Sequence, residues 1–131
     1  MPHFIAEYSG NLEGDIDLPG LFESVHRTLG ETGVFPLGGI RSRAVKAETY
    51  RIADAAHDYG FVHMTLKVGS GRSLEIRRQA GDALFEAIKA HFAPIQEKRL
   101  LAISFELAEL HPDLNYKHNN IHSFLKQQSE Q

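Results

Sequence analysis

The residue with the most chemical promise stands at the head of the chain. Pro2 follows Met1 directly, and an initiator methionine is commonly trimmed when the next side chain is small. Trimming leaves Pro2 with a free secondary amine, the only one a standard chain can carry. An α-amino group ordinarily titrates near roughly 8, and burial or neighbouring cations push it toward neutrality. A base titrating near the working pH suits the movement of protons on and off carbon. If Met1 stays in place, the Pro2 nitrogen is a tertiary amide with no useful basicity. Three arginines complement this amine. Arg41 and Arg43 open a segment behind the glycine-rich turn Leu37-Gly38-Gly39, and Arg72 sits between Gly71 and Ser73. A guanidinium offers a planar fork for carboxylates and keeps its proton. Beside a buried amine, such groups hold an anionic substrate and disfavour a second positive charge on Pro2. As surface residues they would be three solvated arginines among 14 Lys and Arg.

The elements that must position these residues follow from periodicity. Residues 3–9 read as a strand, and Asp17 as the N-cap of a helix with Pro19 in its first turn. Leu21, Phe22, Val25 and Leu29 recur at helical spacing, with Gly30 as the stop. After an apolar, glycine-rich loop (32–39), residues 40–50 read as a long strand with Arg41, Arg43, Val45 and Ala47 on one face. A polar connection leads to a second strand, 61–68. Gly69–Ser73 then turns into a helix of about twenty residues with Ile76, Ala80, Ala83, Leu84, Ala87, Ile88 and Phe92 along one side. Residues 100–108 form a last strand, in which Leu101, Ile103, Phe105 and Leu107 alternate with polar or small residues.

The halves echo one another. Leu21-Phe22-Glu23-Ser24-Val25 aligns with Leu84-Phe85-Glu86-Ala87-Ile88, 63 positions on, and the same offset brings Ile40 onto Ile103. His3 falls on His63 at an offset of 60. The expected fold is therefore α+β: one domain over residues 1–131, with pseudo-repeats 1–53 and 61–110 and a tail, 111–131. Crossover helices imply parallel pairing within each β-α-β unit. The result is a four-stranded mixed sheet with two helices on one face. The uncovered face, and Leu114, Tyr116, Ile121, Phe124 and Leu125 of the tail, predict oligomerisation. Only the first unit begins at a chain end, so one amine site per chain is expected.

Composition excludes several functions. Hydrophobic content of 42%, charged content of 24% and a net charge of -3 describe an ordinary globular chain with no general attraction to nucleic acid or an anionic membrane. The absence of cysteine removes disulfides, thiolate metal sites and thiol nucleophiles. The first fifteen residues lack a basic n-region and no apolar run reaches membrane-spanning length, so a cytoplasmic protein is expected. His118 and His122 are four apart with His111 nearby, but no carboxylate or cysteine pattern accompanies them, and structural roles are expected. His63 reads as a core or interface histidine. Gly69-Ser70-Gly71 lacks the rest of a phosphate loop, and no Gly-x-Ser-x-Gly elbow occurs.

Four stretches, MPHFIAEY, GVFPLGGIRSR, HDYGFVHMTLKVGSGRS and RLLAISFELAELHPDLNYKHNNIH, resemble the 5-carboxymethyl-2-hydroxymuconate isomerase family of the tautomerase superfamily. They span residues 1 to 122. The resemblance implies a tandem β-α-β fold assembled into homotrimers and a catalytic proline at Pro2. It places substrate-binding arginines at Arg41 and Arg72 and gives Arg43 no role. It also implies a step in homoprotocatechuate breakdown, in which a dienol tricarboxylate becomes its conjugated 2-oxo isomer without metal or cofactor. Two alternatives remain open from the residues: a related tautomerase acting on another enol or unsaturated acid, and a non-catalytic ligand-binding or signalling protein of the same fold.

Overall fold

A computed structural model describes residues 1–129. The strands are β1 (His3–Ser9), β2 (Arg41–Ala47), β3 (Gly60–Val68) and β4 (Leu101–Glu109), and the helices α1 (Leu18–Glu31), α2 (Leu74–Gln96) and α3 (Ile121–Ser129). The sheet order is β2-β1-β3-β4. β1 pairs with β2 in parallel, β3 with β4 in parallel, and β1 with β3 antiparallel. The expected mixed sheet is thus present, with the antiparallel seam between the two repeats.

Alternation along the strands assigns the faces. Phe4, Ala6 and Tyr8 of β1, and Val62, Met64, Leu66 and Val68 of β3, are buried against the helices. From the helices come Leu21, Val25 and Leu29 of α1, and Ala80, Leu84, Ile88 and Phe92 of α2. The repeat is visible in this packing: Leu21, Val25 and Leu29 stand 63 positions before Leu84, Ile88 and Phe92, and all six are core residues. On α2 the apolar side is narrower than the sequence suggests, because Ile76 and Ala83 are exposed.

Element boundaries shift where a partner or a cap decides them. β2 stops at Ala47 rather than residue 50, because its sole partner ends with the pair Ser9–Ala47. β4 begins at Leu101, opposite Gly60, and runs to Glu109, opposite Val68. α1 continues through Gly30. It is closed by Thr32, whose hydroxyl donates to the Leu29 carbonyl at 2.6 Å, and by Gly33 at φ +75°. Gly33 supplies the left-handed turn that Gly30 was expected to make. Asp17 caps α1 as expected, accepting from the Gly20 N–H at 3.0 Å.

Among the described residues no helix covers the second face of the sheet, which is chemically mixed. His3, Ile5, Arg43, Phe61, His63 and Thr65 alternate onto it. His63 is exposed there and bonds to the Ser104 hydroxyl at 2.7 Å, so the core reading of this histidine is incorrect. No helix among the described residues is long and apolar enough to cross a membrane.

Candidate active site

The start of β1 lies where three loops meet. Pro2 is buried, and its carbonyl accepts the Arg41 N–H at 3.0 Å, which ties the chain terminus into the sheet one residue ahead of β1. The loop before β2 wraps this point through a single 3-10 turn at Leu37–Gly39. A Cβ on Gly39 would lie 3.5 Å from the Pro2 ring, in ordinary contact. A Cβ on Gly38 would come within 2.9 Å of the His122 ring and 3.2 Å of its backbone. Glycine at position 38 is therefore what allows the tail to rest on the loop. Met1, Pro2, Pro36, Gly39, Arg72, Lys117, Asn119 and His122 enclose a cavity of about 380 Å³. A groove of about 360 Å³ between α2 and β4, with Arg77, Phe85 and Phe105, contains no amine.

Arg72 is held without losing its charge. The turn that presents it uses Gly71 at φ +111°, followed by Ser73, whose hydroxyl caps α2 by accepting the Ile76 N–H at 3.2 Å. The guanidinium donates to the Val34 carbonyl at 2.9 Å and the Gly69 carbonyl at 3.3 Å. It lies 4.4 Å from the centre of the Phe35 ring, a cation–π contact. Behind it, Arg77 donates from Nε to the Arg72 carbonyl at 3.2 Å and pairs with Glu109 at 3.3 Å. These contacts brace the turn with neutral acceptors on the arginine itself.

Arg41 reaches the same region from β2. Its Nη1 donates to the Gly39 carbonyl and to Met1 Sδ, both at 3.0 Å. Met1 lines the cavity, so this guanidinium lies one side chain behind the wall. Arg43, two residues on, points elsewhere: its Nη1 donates to His3 Nδ1 at 3.2 Å on the open sheet face. Of the sequence-derived site residues, Pro2 and Arg72 share the cavity, Arg41 borders it through Met1, and Arg43 stands apart.

The electrostatics favour a neutral amine. The α-amino group at Met1 is pushed below its ordinary value of 8.0, first by burial and then by the positive charges of Lys117, Arg72 and Arg41. With Met1 absent, the amine would belong to Pro2, which is already buried. His3 is pushed down as well, by burial and then by Arg43, Arg41 and the terminal amine.

Sequence reasoning missed the contribution of the tail. Lys117, Asn119 and His122 line the cavity, whereas the tail histidines were expected to be structural. His111 has such a role, its Nδ1 accepting the Asp113 and Leu114 N–H groups at 3.0 Å, and His122 packs on Gly38 and Gly39 while also facing the cavity. The Asn119 amide donates to the Gly38 carbonyl at 3.2 Å and lies 3.6 Å from Met1 Sδ. No periodic pattern runs through residues 111–120, which are irregular, so nothing local announced which of these side chains faces the cavity.

The family description of 5-carboxymethyl-2-hydroxymuconate isomerase matches residues 2–125. The chain belongs to the 5-carboxymethyl-2-hydroxymuconate isomerase family. It is similar to the 5-carboxymethyl-2-hydroxymuconate Delta-isomerase of Escherichia coli, at 60% identity over 126 residues, 96% of this chain and 100% of the relative. The crystal structure of a 5-carboxymethyl-2-hydroxymuconate isomerase from Deinococcus radiodurans R1 is 37% identical, with a TM-score of 0.87 over 95% of this chain and 93% of that one. A fused 4-OT symmetric trimer shares the tautomerase fold alone: 11% identity and a TM-score of 0.58, over 88% of this chain and 93% of the other. The span matched to the isomerase family takes in Pro2, both site arginines and the cavity-lining part of the tail.

Proposed function

We propose that this isomerase converts 5-carboxymethyl-2-hydroxymuconate to its conjugated 2-oxo isomer, with the Pro2 nitrogen as the proton carrier once Met1 has been removed. The neutral amine takes the proton of the 2-hydroxyl. The oxygen lone pair becomes the C2 carbonyl, and the π pair moves along the diene, leaving a C3–C4 double bond. C5 takes the proton back from the Pro2 ammonium. Atoms and charge balance within the substrate, so the step requires no oxidant or co-reactant. Arg72 and Arg41 hold carboxylates and stabilise negative charge on the 2-oxygen as the hydroxyl proton leaves. Fixing amine, oxygen and C5 in one cavity removes much of the entropic cost of the transfer. Removal of Met1 also frees the Arg41 donor now engaged by Met1 Sδ.

One observation carries this reading: Pro2, whose nitrogen becomes the terminal amine once Met1 is gone, lines one cavity with Arg72, where burial and then Lys117, Arg72 and Arg41 already lower the Met1 amine. The reading includes a cytoplasmic homotrimer acting in homoprotocatechuate breakdown. Support for the trimer comes from the helix-free sheet face and from the trimeric neighbour that shares the fold.

The test compares protein starting at Pro2 with protein that retains Met1, both followed by the ultraviolet spectrum of the dienol. General acid–base catalysis contributes about 10²–10⁴-fold, and the Met1-bearing form should lose at least that much while its circular dichroism is unchanged. Equal turnover by the two forms would overturn the proton-carrier role.

A further inference from the structure

The proposed substrate carries three carboxylates, as its name states: two at the ends of the muconate chain and one on the carboxymethyl arm. The sequence supplies two arginines for them. The cavity holds another cation, Lys117, which enters from the tail rather than from the sheet. Among the described residues, no carboxylate lies within ion-pair distance of Lys117, so its charge is not consumed internally.

The backbone that follows Lys117 is anchored, although the segment is irregular. Two residues on, Asn119 donates to the Gly38 carbonyl, and its side-chain oxygen accepts the Ile121 N–H at 2.6 Å. Three residues further, His122 is seated on Gly38 and Gly39, where any larger residue at position 38 would displace it. The tail thus forms a built wall of the cavity and not a loose end beside it.

Charge matching says which carboxylate faces that wall. The two at the ends of the muconate chain are present in any muconate dienol and are answered by Arg72 and Arg41. The third cation, Lys117, answers the carboxylate that only the carboxymethyl arm adds.

We infer that Lys117 binds the carboxylate of the carboxymethyl arm, and that the segment from Lys117 to His122 is the wall that selects a tricarboxylate over a dicarboxylate dienol. The inference rests on the substrate and the arginine roles proposed above.

The test uses two probes, the tricarboxylate dienol and the same dienol with hydrogen in place of the carboxymethyl arm. A hydrogen-bonded charge contributes enough that Lys117→Gln should raise KM for the tricarboxylate about tenfold, with any change in kcat through the amine shared by both probes. For the dicarboxylate, KM should move less than about twofold. Gly38→Ala, which pushes the tail off the loop, should reproduce the selective loss, with the core reported intact by circular dichroism. An equal change in KM with both probes, or none with either, would overturn the inference. Calorimetric binding of the two 2-oxo products to Pro2→Ala protein separates this from the reaction itself. A tricarboxylate-specific weakening by Lys117→Gln there upholds the lysine site even if the wild type turns over neither dienol. Unchanged binding of both products refutes it whatever the turnover.

Discussion

The two ends of the sheet treat their cations in opposite ways. Where β1 and β2 begin, Arg72 donates to the Val34 and Gly69 carbonyls and stacks on Phe35, and Arg41 donates to the Gly39 carbonyl and a thioether. At the far end, where β3 and β4 begin, Arg99 is gripped by the carboxylates of Asp15 and Asp58 and by the Asn11 carbonyl at 3.0 Å. Asn11 is in turn tied to Asp58 at 2.9 Å and to the Tyr59 carbonyl at 2.6 Å. The loop before β2 supplies Val34 and Phe35 to the first end, and its counterpart in the repeat, the loop before β4, supplies Arg99 to the second. A guanidinium held by neutral acceptors is oriented yet still charged, and remains available to an anion. One enclosed by carboxylates is a strut. In the proposed reaction the same residue type serves binding at one end, while it tethers at the other, and the counter-ions tell the two apart.

The sharpest way to break this comparison is Arg72→Ala. Removal of a positioned donor to developing negative charge costs about 10²–10³-fold in rate, and kcat/KM for the dienol should fall by that order. Two carbonyls lose a donor, but both belong to partly exposed loops that water can reach, so the melting temperature should move by only a few degrees. A collapse in stability with little kinetic effect would make Arg72 a strut like Arg99. Arg99→Ala should show the reverse pattern. Its side chain is 13% exposed, while those of Asp15 and Asp58 are 55% and 77% exposed, so solvent screens both pairs. A loss of about 1–2 kcal/mol in urea unfolding is expected, with kcat/KM within about twofold of the wild type. A kinetic defect as large as that of Arg72→Ala would mean that the two ends are not functionally separate.

Much of this division was legible before any coordinates. The Leu21–Val25–Leu29 and Leu84–Ile88–Phe92 triplets carry the helix period, and the duplication follows from them because packing repeats wherever the pattern does. Pro2 and Arg72 were legible through chemical type: one is a potential secondary amine and the other a cation framed by small residues at a turn. The span of β2 was not, since its C-terminal limit belongs to its partner β1. The contribution of the tail was not either. Lys117 and His122 reach the cavity because Gly38 leaves room for the His122 backbone, a contact across more than eighty residues of sequence that no local pattern encodes. The pairing of Arg99 was equally hidden, because Asp15 and Asp58 come from two different loops.

The smallest expected effect tests whether the unneutralised end produces a field that outlasts solvent. Two histidines titrate below the ordinary 6.5 for different reasons. His26, bonded to the Ser42 hydroxyl at 2.7 Å, is lowered by burial. His3 is lowered by burial first, and then by Arg43, Arg41 and the terminal amine. In both cases the folded protein resists a proton that the unfolded chain accepts. Each contribution to stability is therefore complete above pH 6.5 and is lost as pH falls through the folded value. Salt separates the causes, because it screens exposed charges over about 10 Å at 0.1 M and leaves burial untouched. In a titration followed by NMR at low and at about 0.5 M salt, the His3 midpoint should rise toward its ordinary value while that of His26 stays put. If both midpoints ignore salt, the positive charge around Pro2 is too well solvated to tune an amine at that end of the sheet. Burial alone would then have to hold the terminal nitrogen neutral.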